Sequence, residues 1–338
     1  MNCAKSENRY LSNLSQHRCF LFGIAILSVI FLHSPYTPKI KLLAFAREFL
    51  YIGVDIFILL SGFGIYKSLD KNDLPVYIQN RKKRLYIPYL PFILVWMAVK
   101  GTAKHLSVSS ILGNLTLLGW YAGRGNQFNW YVQALLVLYI LAPFIKAIVQ
   151  KTTVFQNHLL IIFFFIISMN FFETELLLLF TRIPLFVLGM ILSKRHSDQK
   201  PISIVPYVLS MCVGAVVLLA AFRIFPAALW DYGMYWYPMF LVVPGMCMMI
   251  TLVTDKLMVA FRCVYRFISH IGESSFEIYL IHIFLRDIFV EQFEVITLSV
   301  NAGFVGLSIL LGCGYRRLTQ SIGFRKTRGE VNNEKKTG

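Results

Sequence analysis

The sequence predicts an all-α, polytopic transmembrane helical bundle of about ten spans with both termini cytoplasmic. Composition, the spacing of the apolar stretches and the distribution of positive charge lead to that fold class. Of 338 residues, 57% are hydrophobic and 15% charged, where a soluble domain carries about 25% charged residues. The mean hydropathy is +0.62. A water-soluble globule is excluded, and so is disorder, because 29 Phe and 17 Tyr could not stay solvated in an extended chain. At about 20 residues per span, the apolar content suffices for about ten spans.

The apolar stretches follow in order. In the first, 20–36, the run Phe20 to Ser34 is followed by Pro35, Tyr36 and Thr37 rather than a small-residue cleavage site, so it reads as a retained helix. It carries His33 near its outer end, and the second stretch, 49–66, returns with Asp55. The third, 85–101, follows the basic run Arg81-Lys82-Lys83-Arg84 and contains Pro88 and Pro91. Asn129, Trp130 and Gln133 open the fourth, 129–149; the fifth is 158–172. The sixth, 176–193, carries Arg182 near its start, and 203–223 and 237–253 follow. The ninth, 271–289, holds Glu273, Glu277, Tyr279 and His282, and the tenth is 297–315. A further stretch, Leu106 to Tyr121, is interrupted by Ser107, Ser109, Ser110, Gly113, Asn114 and Gly119. It reads either as an eleventh span or as an interfacial segment.

Positive charge decides between these, because cytoplasmic loops collect Lys and Arg. Ten spans with a cytoplasmic N-terminus put 24 of the 33 basic residues inside and 9 outside, whereas an eleventh span at 106–121 gives 13 and 20. The acid-rich connections at Glu173-Thr174-Glu175 and from Arg286 to Glu294 then fall outside. The net charge of +16 is therefore a topology signal and not a nucleic-acid footprint. No internal repeat or separate soluble domain is visible. The chain divides into a membrane domain over 1–324 and a basic cytoplasmic tail over 325–338 that reads as disordered.

The cysteines fit this arrangement. Cys3 and Cys263 fall on the cytoplasmic side, Cys19 at the inner edge, and Cys212, Cys247 and Cys313 within helices, so no disulfide framework is expected. There is no P-loop, no G-x-G-x-x-G and no metal-ligand spacing of the H-E-x-x-H or C-x-x-C kind, so no metal site is expected.

Ionisable groups inside spans cost several kcal/mol unless paired or hydrated, which makes each a functional candidate. His33 and Asp55 fall at similar depth on opposite-running segments, and a carboxylate beside an imidazole suits general-base catalysis by fixing its tautomer. Two interfacial polar groups satisfied by water or neighbouring helices would look the same. Arg182 at such a depth can hold a phosphate or carboxylate, neutralise a buried carboxylate, or snorkel to headgroups. Trp130 and Tyr131 suit an interfacial belt as well as a site, and His282 alone suits packing. The run from Arg81 to Arg84 can bind a polyphosphate or serve only to set topology.

These residues lie in segments that resemble the acyltransferase-3 family of integral membrane O-acyltransferases, in matching order over most of the chain. Gly53-Val54-Asp55 with Ser61-Gly62-Phe63 is similar to the family's G-V-D and S-G-F second helix. Arg81 to Arg84 with Tyr86 and Pro88 resembles its R-x-x-R-aromatic-P segment, and Trp130-Tyr131 with Tyr139 and Pro143 its W-[FY]-L helix. Arg182, Pro184, Phe186 and Gly189 resemble R-x-P-x-F-x-x-G. Gly272, Ser275, Phe276, Tyr279, Leu280 and His282 resemble G-x-x-S-[YF]-x-[IL]-Y-L-x-H. The first helix departs from the pattern: the family's basic residue, eleven residues ahead of its histidine, is Phe22 here. Arg18 lies one turn further in, about 60° from that stripe.

The resemblance implies transfer of an acyl group, most often acetyl from cytoplasmic acetyl-CoA, to a hydroxyl of an exopolysaccharide, a lipopolysaccharide or a lipid-linked precursor. It implies a multi-pass protein of the bacterial inner membrane, in contact with its lipids, with acetyl-CoA as co-substrate and no permanently bound cofactor. His33 would be the catalytic base with Asp55 as its orienter, and Arg81 and Arg84 would hold the donor's phosphates. Trp130, Gln133, Arg182, Tyr279 and His282 would line the acceptor or acyl path. The donor's anionic end then belongs with the cytoplasmic cations while His33 lies outward, so the pantetheine arm has to bridge much of a core about 30 Å thick. A transporter or flippase of lipid-linked sugars, or a catalytically degenerate homologue, are the alternatives. Oligomeric state is left open.

Overall fold

The computed structural model describes residues 9–101, 107–121, 130–226 and 229–334. Among them the chain is helical throughout, with no strand. The helices are α1 (Arg9–Gln16), α2 (Arg18–Leu32), α3 (Lys41–Glu48), α4 (Ile52–Lys71), α5 (Leu74–Gly101), α6 (Val108–Thr116), α7 (Trp130–Lys151) and α8 (Val154–Ser168). They continue with α9 (Leu177–Phe180), α10 (Ile183–Ser197), α11 (Val205–Ile224), α12 (Trp236–Leu257), α13 (Arg262–Glu273), α14 (Ser275–Gln292) and α15 (Leu298–Glu334).

Among the described residues, seven helical stretches are long and apolar enough to cross a membrane, and eight if the pair α1 and α2, bent by 62°, counts as one span. The two other expected spans are helical but fall short of that length of apolar composition. Within α14 the 18 residues include Glu277, Arg286, Asp287 and Glu291, and α5 carries the four cations of 81–84 ahead of its apolar part. The interrupted stretch at 106–121 forms α6, whose nine residues extend only about 13 Å and cannot cross a core about 30 Å thick. At the C-terminus α15 stays helical to Glu334, through most of the segment for which the sequence suggests disorder.

The chain divides into two compact units, a division the sequence does not signal. One comprises 1–28, 49–74 and 137–272; the other 29–48, 75–136 and 273–338.

In the first unit α4 and α10 form the centre. Both are apolar all round and buried over most of their length, as a helix enclosed on every side must be. They run parallel and touch through glycines. A Cβ on Gly62 would lie 2.1 Å from the Phe186 carbonyl oxygen, and one on Gly189 would lie 2.1 Å from that of Leu59. Only hydrogen fits at such an approach, the usual device where membrane helices pack backbone to backbone. By contrast α8 and α11 expose Phe163, Ile166, Val213, Val216 and Leu219, an apolar outer surface suited to lipid.

The second unit is built on α14 packed against α15, with α5 beside them. Pro88 and Pro91 lie inside α5, where each removes an amide donor from the helix. The Tyr315 hydroxyl of α15 donates to the Pro88 carbonyl oxygen at 2.6 Å. The described cysteines Cys19, Cys212, Cys247, Cys263 and Cys313 are free thiols, and Cys3 lies outside the described residues.

Candidate active site

Helix α2 ends at Leu32, and His33 follows at once, with Pro35 close behind to prevent continuation. A helix ending leaves its last carbonyls without partners. Arg47, from α3, supplies them: its guanidinium donates to the carbonyl oxygens of Leu32 at 2.6 and 3.0 Å, Ser34 at 2.6 Å and Tyr36 at 2.9 Å. The Ser34 hydroxyl in turn donates to the buried Asn301 side-chain oxygen on α15. The residues on both sides of His33 are thereby fixed. Sequence reasoning counted Arg47 only as an outer-loop charge; the overlooked signal is a helix that stops before Pro35 without a glycine to close it.

The imidazole of His33 meets a second imidazole. Nδ1 of His33 lies 3.0 Å from the Val29 carbonyl oxygen and 3.2 Å from Nε2 of His282, which is completely buried on α14. Nδ1 of His282 lies 2.7 Å from the carbonyl oxygen of Tyr279. The Tyr279 ring packs against His282 and, edge-on at 4.9 Å, against Tyr131. Tyr131 adjoins Trp130, and Trp130 adjoins Trp120. Buried Gln133 accepts the backbone N–H of Trp120 at 2.9 Å, which holds that aromatic row in place. Four residues expected on the acyl or acceptor path, Trp130, Gln133, Tyr279 and His282, therefore form one connected cluster ending at His33. Asn129 lies outside the described residues.

The same helix leads to a cavity of about 450 Å³, open to the surface and lined by Lys83, Arg84, Glu273, Glu277, Arg316 and Thr319 among others. Arg316 pairs with Glu273 at 3.8 Å. From Glu277 to His282 is five residues of α14, about 8 Å of rise. Arg84 lines the cavity as expected of a donor-binding cation. Arg81 does not; its guanidinium lies over the Tyr77 ring, 5.5 Å from the centroid. Lys83 and Arg316 were not singled out from the sequence, since the first is one charge in a run and the second is over 200 residues away.

Asp55 and Arg182 belong to the first unit, where they meet each other. Arg182 Nε lies 3.3 Å from Asp55 Oδ1, with the two residues 1% and 2% exposed. Asp55 precedes Gly62 by seven residues and Arg182 precedes Gly189 by the same seven. Because α4 and α10 run parallel, the glycine contact sets the register that brings the charges together two turns away. The guanidinium also lies 3.9 Å from the ring centroid of Trp236 and donates to the Leu178 carbonyl oxygen at 3.1 Å. The carboxylate of Asp55 thus has an arginine as partner within the first unit, and His33 has His282 within the second.

Phe22 is buried against Phe57. The guanidinium carbon of Arg18 lies 5.0 Å from the centroid of the Phe22 ring and only 2.4 Å from where a Cβ on Gly64 would be. The chain therefore places a cation at Phe22, where the first helix lacks the expected basic residue.

The model of a family described as an acyltransferase domain, acyltransferase-3, matches residues 23–315. No curated protein and no solved structure matches the chain. The matched residues take in Asp55 with Arg182 and His33 with His282, while Arg18, Phe22 and Arg316 lie outside them.

Proposed function

The chain belongs to the acyltransferase-3 family, and from that premise we propose that it transfers an acetyl group from acetyl-CoA to a hydroxyl of a cell-surface polysaccharide or of its lipid-linked precursor, at the bacterial inner membrane. The observation that carries this reading is the shared helix α14, which joins a cation-lined cavity at one end to the His33 and His282 pair further along. Arg84, Lys83 and Arg316 suit the phosphates of a coenzyme, which enter from the cytoplasmic side. The connecting rise of about 8 Å from Glu277 to His282 is well within the reach of an extended pantetheine arm, a small part of a core about 30 Å thick.

His33 acts as general base on the acceptor hydroxyl, a role worth about 10²–10⁴-fold in rate. Tyr279, Tyr131 and Trp130 offer the flat aromatic surfaces on which sugar rings pack. The buried Gln133 Nε2, without a hydrogen-bond partner among the described residues, supplies a donor for a carbonyl or hydroxyl oxygen. Asp55 and Arg182 hold the packing of the first unit and take no proton from substrate.

The test is the acetyl content of the surface glycan, by NMR before and after base treatment, in cells carrying the protein, lacking it, or carrying His33→Ala. Acetyl signals lost in both the deletion and the variant support the reading. An unchanged acetyl pattern with less exported glycan moves the protein to transport of lipid-linked sugars.

A further inference from the structure

The two ring nitrogens of His282 have different neighbours, and the difference fixes where the protons are. Nδ1 faces the carbonyl oxygens of Tyr279 at 2.7 Å and Ile278 at 3.3 Å, while Nε2 faces His33 Nδ1 at 3.2 Å. A carbonyl oxygen can only accept, so Nδ1 of His282 carries the proton and the neutral ring presents a lone pair at Nε2. His33 Nδ1 then lies between two acceptors, that lone pair and the Val29 carbonyl oxygen at 3.0 Å, and must itself hold a proton. Nε2 of His33 is left with the lone pair. The Val29 oxygen already accepts the backbone N–H of His33 at 3.1 Å, so it is divided between two donors, whereas the lone pair of His282 serves the ring alone.

We propose that His282 is a positioning residue that holds His33 in the tautomer protonated at Nδ1, so that Nε2 is the nitrogen presented to the acceptor hydroxyl. The proposal deepens the acyl-transfer reading of this site and rests on it for the role of His33. In the transfer the hydroxyl proton passes to His33 Nε2 as the oxygen bonds to the acyl carbon. The carbon–sulfur bond of the thioester breaks, its electron pair leaves with sulfur, and His33 Nε2 returns the proton to give the thiol. His282 keeps its Nδ1 proton and its Nε2 lone pair throughout. A neutral imidazole thus stands where a carboxylate was expected, and it orients the base without placing a negative charge beside an acyl donor that already carries several.

The full chain labelled with ¹⁵N-histidine in lipid nanodiscs gives the protonation of each ring nitrogen from its chemical shift, with His33 assigned by its loss in His33→Gln. The wild type is expected to show His33 protonated at Nδ1, His282→Leu to shift that proton to Nε2 in part or whole, and His282→Gln, whose side-chain oxygen can accept, to restore it. In His282→Leu kcat should fall by about 10²-fold or more while KM for both substrates stays within about twofold. A wild-type His33 protonated at Nε2, or a tautomer indifferent to His282→Leu, overturns the proposal. The wild-type spectrum decides it even if His282→Leu fails to fold. Tautomers as expected in a protein that transfers no acyl group support the positioning of His33 and overturn only the acyl-transfer reading.

Discussion

Arg18 lays its guanidinium over the ring of Phe22, 5.0 Å from the centroid, and Gly64 leaves the room for it. A long side chain one turn away thus carries a positive charge to the place where the first helix lacks one. Installing a second cation there adds little: Phe22→Arg should leave acyl transfer in isolated membranes within about twofold. Arg18→Ala should lower acyl transfer in the same membranes by about tenfold, the scale of one lost charge-assisted contact, and Phe22→Arg should restore it in that background. Gly64→Ala, which pushes the guanidinium aside, should follow Arg18→Ala.

Asp55 and Arg182 form a pair almost without exposure. Removing one partner leaves the other charge buried, which costs about 3–5 kcal/mol. Asp55→Ala and Arg182→Ala should each lower the thermal unfolding midpoint in detergent strongly. The double change Asp55→Leu with Arg182→Met should recover most of that loss, because an apolar pair of similar volume removes both desolvation penalties.

Gly62 and Gly189 each face a backbone oxygen of the other helix at a distance no methyl group can occupy. Gly62→Ala or Gly189→Ala forces α4 and α10 apart and should cost about 1–3 kcal/mol. The two changes share one contact, so their combined effect on the midpoint should fall well short of the sum.

Arg47 binds carbonyl oxygens on both sides of His33. A planar guanidinium reaches three carbonyls at once and an ammonium does not. Arg47→Lys should therefore lower kcat by about tenfold or more, since small displacements of a catalytic group are costly, and leave the donor KM unchanged. Steady-state kinetics with both substrates varied checks the separation.

Arg84 and Arg316 line the cavity beside α14. Arg84→Ala and Arg316→Ala should each raise the donor KM by about tenfold with kcat retained, the reverse of the pattern for Arg47→Lys. Raising the salt concentration should mimic both changes, because the cavity is open to solvent.

The helices were legible because apolar length is a local property, and nearly every expected stretch coincides with a helix. The partners were not. Depth along a span puts Asp55 and Arg182 at one level, yet direction around each helix decides contact, and the glycine crossing that sets it is a meeting of residues 62 and 189. Segments recognised one at a time, Gly53 to Phe63 and Arg182 to Gly189, are two halves of a single interface. Arg47 escaped because its task is defined by carbonyls that no side-chain pattern records. Arg81 and Arg84 part company because four adjacent cations on a helix point in different directions, and only some of them face the cavity.

Pro88 and Pro91 take away the amide hydrogens that would close the α-helical bonds of Arg84 and Ile87. Both of those residues line the cavity, together with the carboxylates of Glu273 and Glu277. Its chemistry is therefore two-signed. A bare polyanion answers only the cations, whereas an anion that also carries amino, amide or hydroxyl hydrogens answers both signs, so the mixed lining grades ligands by more than their charge.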